Sequence, residues 1–319
     1  MPVSKELVVQ AYRLILGREP ENEQVLEANA KATDWRELRR AFLSSSEFKR
    51  QTGVGMSNRQ PIGQFMDVRT NDVEVDCTAE QLQQMFDGIA RNWKKFGETE
   101  PHWSVLTNPV FRQETLAEHL DAFFLHGKAD VQNALNFLSR ADLPATGFDR
   151  VMDFGCGVGR LTVALAPHAR TVVGVDISPS HLREAEITVR DKLLDNCEFK
   201  QIHTVDDVEK LGTFDLIVSR IVLQHNPPPI IAAIYRRLLN TLRPGGAAII
   251  QIPTYMKGQK FRVADYLAST APAMEMNAIP QHEIFRIIRE TGCEVIEVRE
   301  TDDVGPIGGL SHTFAVRRP

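Results

Sequence analysis

Between Val151 and Thr162 the chain reads Val-Met-Asp-Phe-Gly-Cys-Gly-Val-Gly-Arg-Leu-Thr, a strand pattern that passes through three alternating glycines into a helix. Glycine at 155, 157 and 159 lets main chain approach a ligand where a β-carbon would collide. The next strand pattern ends at Asp176, 17 residues beyond Gly159, so its carboxylate emerges at the same carboxyl edge of the sheet. A carboxylate there accepts both hydroxyls of a ribose, and the two features together read as a nucleoside site at a topological switch point. A dinucleotide fingerprint needs glycine at the third place after Gly157, and that place holds Arg160. A phosphate loop ending in Gly-Lys-Ser/Thr is absent, so a nucleotide-hydrolysing reading has no support.

The segment resembles the first motif of class I S-adenosylmethionine-dependent methyltransferases, and three later segments agree with that family in order and spacing. Val172-Val173-Gly174-Val175-Asp176-Ile177-Ser178 is similar to its ribose-binding strand end, and Phe214-Asp215-Leu216-Ile217-Val218-Ser219 to its fourth strand. Leu239 to Ile252, with Leu242-Arg243-Pro244-Gly245-Gly246 inside it, resembles the helix, turn and fifth strand. The resemblance implies S-adenosylmethionine as cofactor. Asp153, Gly155, Gly157 and Gly159 would hold its methionine part, Asp176 its ribose, and Ser219 or a neighbour the methionine end. Cys156, Ile177 and Gln224 complete the expected cofactor contacts, with Thr204 and Val205 in the adenine loop after the third strand. At that strand end the chain lacks the family's usual acidic residue.

Methyl transfer needs in-line approach to an activated methyl, and a base only when the acceptor carries a proton to be removed. His225, in Leu223-Gln224-His225-Asn226 after the fourth strand, is the catalytic candidate, since an imidazole titrates near neutral pH. Trp103, Arg160, Tyr255 and His312 are the expected substrate-binding residues, and His102, Glu114, Gln251 and His282 are further candidates around the mouth. Asn226-Pro227-Pro228-Pro229 is unlike the motif of nucleic-acid amino-methyltransferases, being seven residues past Ser219 with proline fourth; it reads as a helix start.

Around these residues stand 319 positions, 43% of them hydrophobic, enough for about two domains with a sizeable core. Acidic residues number 42 against 37 basic, a net charge of −5, which argues against a nucleic-acid partner. The longest apolar runs reach about five residues, where a membrane span needs roughly 20. The N-terminus shows no apolar stretch of a secretion signal, so a cytoplasmic protein is expected. Cys77, Cys156, Cys197 and Cys293 are too widely spaced for a metal site or a disulfide framework and read as reduced thiols.

Four regions are expected. Residues 1–50 form a helical accessory domain, with Ser4 and Asp34/Glu37 as caps. Tyr12-Arg13, Leu16-Gly17-Arg18-Glu19-Pro20 and Phe42 to Phe48 resemble a small helical domain of unknown function that accompanies bacterial enzymes acting on glycans. Residues 51–77 form a linker. Residues 78–145 form a helical lid, in which helices at 111–125 and 129–139 are separated at Gly127. Residues 146–319 alternate strand and helix, with strands at 150–154, 171–175, 197–202, 214–219, 247–252, 293–298 and 312–316. The fold class is α/β: a Rossmann-like seven-stranded sheet with helices on both faces, plus the all-helical N-terminal domain. The expected activity is methyl transfer to a small-molecule hydroxyl, with a sugar or glycan precursor favoured. Methylation of nitrogen or carbon on another metabolite, and a non-catalytic cofactor-binding module, are the alternatives.

Overall fold

The computed structural model describes residues 3–45, 47–48, 71–269, 273–301, 303 and 308–319. The chain divides into two compact units, Met1–Val68 and Arg69–Pro319. Most of the expected linker 51–77 lies outside the described residues.

In the first unit, helices Lys5–Ala11, Glu23–Asn29 and Trp35–Ser44 (α1 to α3) are opened by side-chain caps from Ser4, Asn22 and Asp34. Asp34 accepts from Arg36 and Glu37 amides, while Glu37 takes the Thr33 amide rather than closing the expected capping box on Asp34. Val8, Tyr12, Leu16, Leu38 and Phe42 make the core, with Tyr12 edge-on to Phe42 at 4.9 Å.

The second unit is built on a seven-stranded sheet. Its strands are Phe148–Phe154 (β2), Ala169–Asp176 (β3), Cys197–Gln201 (β4), Phe214–Ser219 (β5), Leu242–Met256 (β6), Glu294–Thr301 (β8) and Gly309–Arg317 (β9). They lie in the order β4-β3-β2-β5-β6-β9-β8. The first five are parallel and β9 runs antiparallel to both neighbours. Every residue of β5 is buried, as a strand covered on both faces requires.

Alternation within the strands splits the core. Met152, Phe154, Phe214 and Ile217 face Met85, Phe86 and Ile89 of helix Ala79–Thr99 (α4) and Ile230, Ile231 and Ile234 of helix Pro228–Asn240. Val151, Val172, Leu216 and Val218 face Val131, Leu135 and Leu138 of helix Leu116–Arg140 and Leu161 and Leu165 of helix Arg160–Leu165. Thr78 and Gln81 form a capping box ahead of α4.

Two expectations change. Gly127 does not end a helix: Leu116–Arg140 is continuous through it. A β-carbon there would lie 2.5 Å from the Arg160 carbonyl oxygen, so the glycine serves helix-to-helix approach rather than termination. The end of the expected linker is also structured: Asp72–Val73 (β1) pairs in parallel with Lys260–Phe261 (β7). Asn71 clasps Met256, donating to its carbonyl at 2.6 Å and accepting from its amide at 2.9 Å.

Candidate active site

The carboxyl ends of β2, β3 and β5 open onto one cavity. Phe154, Gly155 and Gly157 line it from β2 and its turn, Val175, Asp176 and Ile177 from β3, and Arg220, Ile221, Val222, His225 and Asn226 from the segment after β5. Phe86, Ile89 and Trp93 of α4, and Ser104 and Val105 of the short helix Pro101–Val105, close it.

Asp176 ties this edge together. Its Oδ2 accepts from the Gly157 amide at 2.9 Å and its Oδ1 from the Ser178 amide at 2.8 Å. Gly155 and Gly157 have φ of +72° and +53°, backbone that favours glycine. A β-carbon at Gly155 would meet the Val222 methyls at 2.4 Å, and one at Gly157 a Val105 methyl at 2.5 Å. The room that the two glycines leave is therefore taken by valines from the flanking segments. Gly159 faces Ala185 and Phe199 and serves packing of helix Pro179–Asp191.

Asp153 is buried at the base of the turn. Its Oδ2 accepts from Thr162 Oγ1 at 2.6 Å, while its Oδ1 has no hydrogen-bond partner among the described residues. Burial raises its pKa to about 6. Cys156 is buried beside it, and burial pushes its thiol well above the ordinary value.

His225 lies on the cavity wall, 7% exposed, with its ring centroid 5.2 Å from that of Trp93. Its Nδ1 is 2.9 Å from the Glu275 carbonyl oxygen, and burial lowers its pKa below the ordinary value. The Glu275 carboxylate is fixed in turn by Tyr266 and Asn277, each donating at 2.6 Å. A second histidine, His181, joins the cavity through a buried chain. Its Nε2 is 2.8 Å from Ser104 Oγ and its Nδ1 2.8 Å from Ser178 Oγ, which pins helix Pro101–Val105 to the loop of Asp176.

Of the sequence candidates, Gly155, Gly157, Asp176, Ile177 and His225 share this cavity. Ser219 does not: its hydroxyl donates to the Phe154 carbonyl at 2.9 Å, joining β5 to β2. Gln224 is buried behind His225, bonded to Gln251. Thr204 and Val205 follow β4, with Val205 buried in the core, while Ile202 is the residue of this region on the cavity wall. Asp207 orders that loop by accepting the His203 and Thr204 amides, each at 2.9 Å.

The four substrate candidates lie elsewhere. Arg160 is 2% exposed and paired with Asp130 at 2.5 Å, because its helix start faces helix Leu116–Arg140 rather than the cavity. Trp103 stacks under the Arg112 guanidinium, 4.5 Å from its ring, while its neighbours Ser104 and Val105 point inward. Tyr255 and His312 sit beyond the cavity on the β6–β9 ladder, where Thr254 Oγ1 is 2.8 Å from His312 Nδ1. His102 packs edge-on to Phe123, and Glu114 and His282 are exposed.

Sequence reasoning gives no site role to Trp93, His181, Arg220 or Val222, all of which line the cavity. The signals available were the position of His181 five residues past Asp176 and of Arg220 directly after β5.

Residues 151–246 match the family described as Methyltransferase domain. Trans-aconitate 2-methyltransferase of Deinococcus radiodurans is 38% identical over 120 residues, 36% of this chain and 42% of that protein. A ubiquinone biosynthesis O-methyltransferase of Albidiferax ferrireducens is 29% identical over 186 residues, 55% and 68% of the two chains. The chain thus spans less than half the length of the first of these relatives. Magnesium protoporphyrin IX methyltransferase from Synechocystis PCC 6803, solved with bound SAH, superposes with a TM-score of 0.46 at 21% identity, covering 63% of this chain and 87% of that one. Residues 151–246 thus carry the pattern of a methyltransferase domain, about a third of the chain. The residues present suit the S-adenosylmethionine that the sequence resemblance implies: Gly155 and Gly157, where no β-carbon is tolerated, the Asp176 carboxylate at the next strand end, and the unpartnered buried Oδ1 of Asp153 at the base of the turn.

Proposed function

We propose that the protein transfers a methyl group from S-adenosylmethionine to a hydroxyl of a small molecule, with His225 as general base. The observation that carries this reading is that the Gly155/Gly157 turn, Asp176 and a buried histidine line one cavity. Bound cofactor supplies an already activated methyl group. The chain's work is to orient and deprotonate the acceptor, and the aromatic and aliphatic walls exclude water while it does so.

A sugar or glycan-precursor hydroxyl is the acceptor to test first, because of the resemblance of residues 1–50 to a domain that accompanies glycan enzymes. Arg220 supports a second reading. It lines the cavity with its guanidinium held by Asp130 at 3.2 Å and Asp303 at 2.7 Å, and one relative is named for an acid, so a carboxylate acceptor that exchanges with one of those partners is the alternative. The two differ in their need for a base, since a carboxylate is already ionised at neutral pH.

The test is transfer of labelled methyl to a panel of nucleotide sugars, monosaccharides and di- and tricarboxylic acids. His225→Asn should lower turnover on a hydroxyl acceptor by about 10²-fold or more with cofactor binding unchanged. Turnover within tenfold of the parent refutes the base role, and it favours the carboxylate reading if the acids are the acceptors. Calorimetric titration showing no cofactor binding by the intact chain would refute the methyltransferase reading.

A further inference from the structure

We infer that Gln224 and Gln251 are positioning residues that hold His225 in the single neutral tautomer able to accept the acceptor's proton. This rests on the reading of His225 as general base.

The argument runs inward from two main-chain groups whose roles are fixed. A carbonyl only accepts, so the 2.9 Å contact with the Glu275 oxygen puts a proton on His225 Nδ1. At the other end, the Ile221 amide only donates, and it lies 2.8 Å from Gln251, identifying that atom as the amide oxygen Oε1. Gln251 Nε2 then donates to Ser311 Oγ at 2.5 Å and to Gln224 Oε1 at 3.1 Å. Gln224 is left presenting its Nε2, a donor, to His225 Nε2 at 3.5 Å. Both ends therefore demand the same state: proton on Nδ1, lone pair on Nε2.

Gln224, Gln251 and Ser311 are all buried, so water does not scramble the amide orientations. The last link is long, which leaves the Nε2 lone pair only weakly engaged by the Gln224 amide. The relay also holds Ile221 at φ +60°, a left-handed conformation for a branched residue, between the cavity-lining Arg220 and Val222.

Replacing either amide by its acid reverses the logic. Gln224→Glu places an acceptor against Nε2, and with Nδ1 still donating to Glu275 the favoured state becomes the imidazolium. Gln251→Glu offers only acceptors to Gln224, which turns its amide round and presents Oε1 to His225. The charged and titratable groups facing the imidazole are otherwise Asp176, His181 and Arg220 on the cavity wall and the Glu275 carboxylate from the far segment.

The experiment uses the full chain labelled with ¹⁵N-histidine, its His225 signals identified by their loss in His225→Asn. Long-range ¹H–¹⁵N spectra of the parent near pH 7.5 should show a protonated Nδ1 and a bare Nε2. Gln224→Glu should show both nitrogens protonated, and its turnover–pH profile should move upward by about one unit, a tenfold change in proton affinity, with cofactor KM unchanged. A parent spectrum with the proton on Nε2 overturns the inference whatever the activity. So does a Gln224→Glu protein that keeps the parent's spectrum and profile. Full activity of His225→Asn instead removes the base role, and the parent spectrum then still decides the tautomer.

Discussion

Asp176→Asn separates the bridging role of this carboxylate from simple polarity. The carboxylate serves two amides with two different oxygens, Gly157 at 2.9 Å and Ser178 at 2.8 Å. Asparagine has one oxygen, so its NH₂ must oppose one of those two donors. One charge-assisted bond is lost, about 1.5–3 kcal/mol, and partial exposure of Asp176 brings the expectation to about 2 kcal/mol. That corresponds to about a 30-fold weakening of cofactor binding if the loss falls on the turn's readiness for ligand. It lowers Tm by about 4–8 °C if the loss falls on folding. Isothermal titration and differential scanning calorimetry on the same sample apportion the two. A variant with the parent's affinity and the parent's melting temperature would refute the idea that this side chain sews the glycine turn to the following helix.

Gly127→Ala should destabilise by about 1–3 kcal/mol even though alanine favours helix, because the new β-carbon meets the Arg160 carbonyl oxygen at 2.5 Å and backbone cannot yield; a raised Tm would contradict this. Stability should fall as pH drops below about 6.5. Burial lowers the pKa of His102 to about 4 and also lowers those of His181 and His225, so the unfolded chain binds more protons in that window. Asp153, raised to about 6, opposes this: its contribution is present at low pH and lost as pH rises through 6. Glu275, also raised by burial, acts in the same sense as Asp153. With three histidines against two carboxyls, the urea midpoint at pH 5 should lie below that at pH 7.5, and an equal or higher midpoint at pH 5 would show the balance to be otherwise.

The strand–glycine–helix passage and the acid at the next strand end were legible because each is local: the residues that act together lie within one βαβ unit. The alternation of strands fixed which side chains face which core for the same reason. What could not be read joins residues remote in the chain. Ser104 meets His181 across 77 positions, and His225 meets the Glu275 carbonyl across 50. No periodicity encodes either contact. Arg160, Trp103, Tyr255 and His312 were placed at the site by residue type, but helix phase and strand register turned them elsewhere. Trp103 illustrates the limit: its two successors reach the cavity while it covers Arg112 outside. The valines over Gly155 and Gly157 were equally invisible, since a glycine announces room without saying what enters it.

The two-residue ladder between Asp72–Val73 and Lys260–Phe261 has a kinetic meaning. It buckles together chain positions 188 apart, a closure costing on the order of 5 kcal/mol in lost freedom. So small a ladder, even helped by Asn71 and by Arg262 gripping Asp72 at 2.7 Å, recoups that loss only once the sheet has already brought the ends close. The buckle is therefore the last thing fastened as the unit matures and the first undone when it loosens, and the thread it secures leads directly into α4, whose Trp93 stands over the histidine.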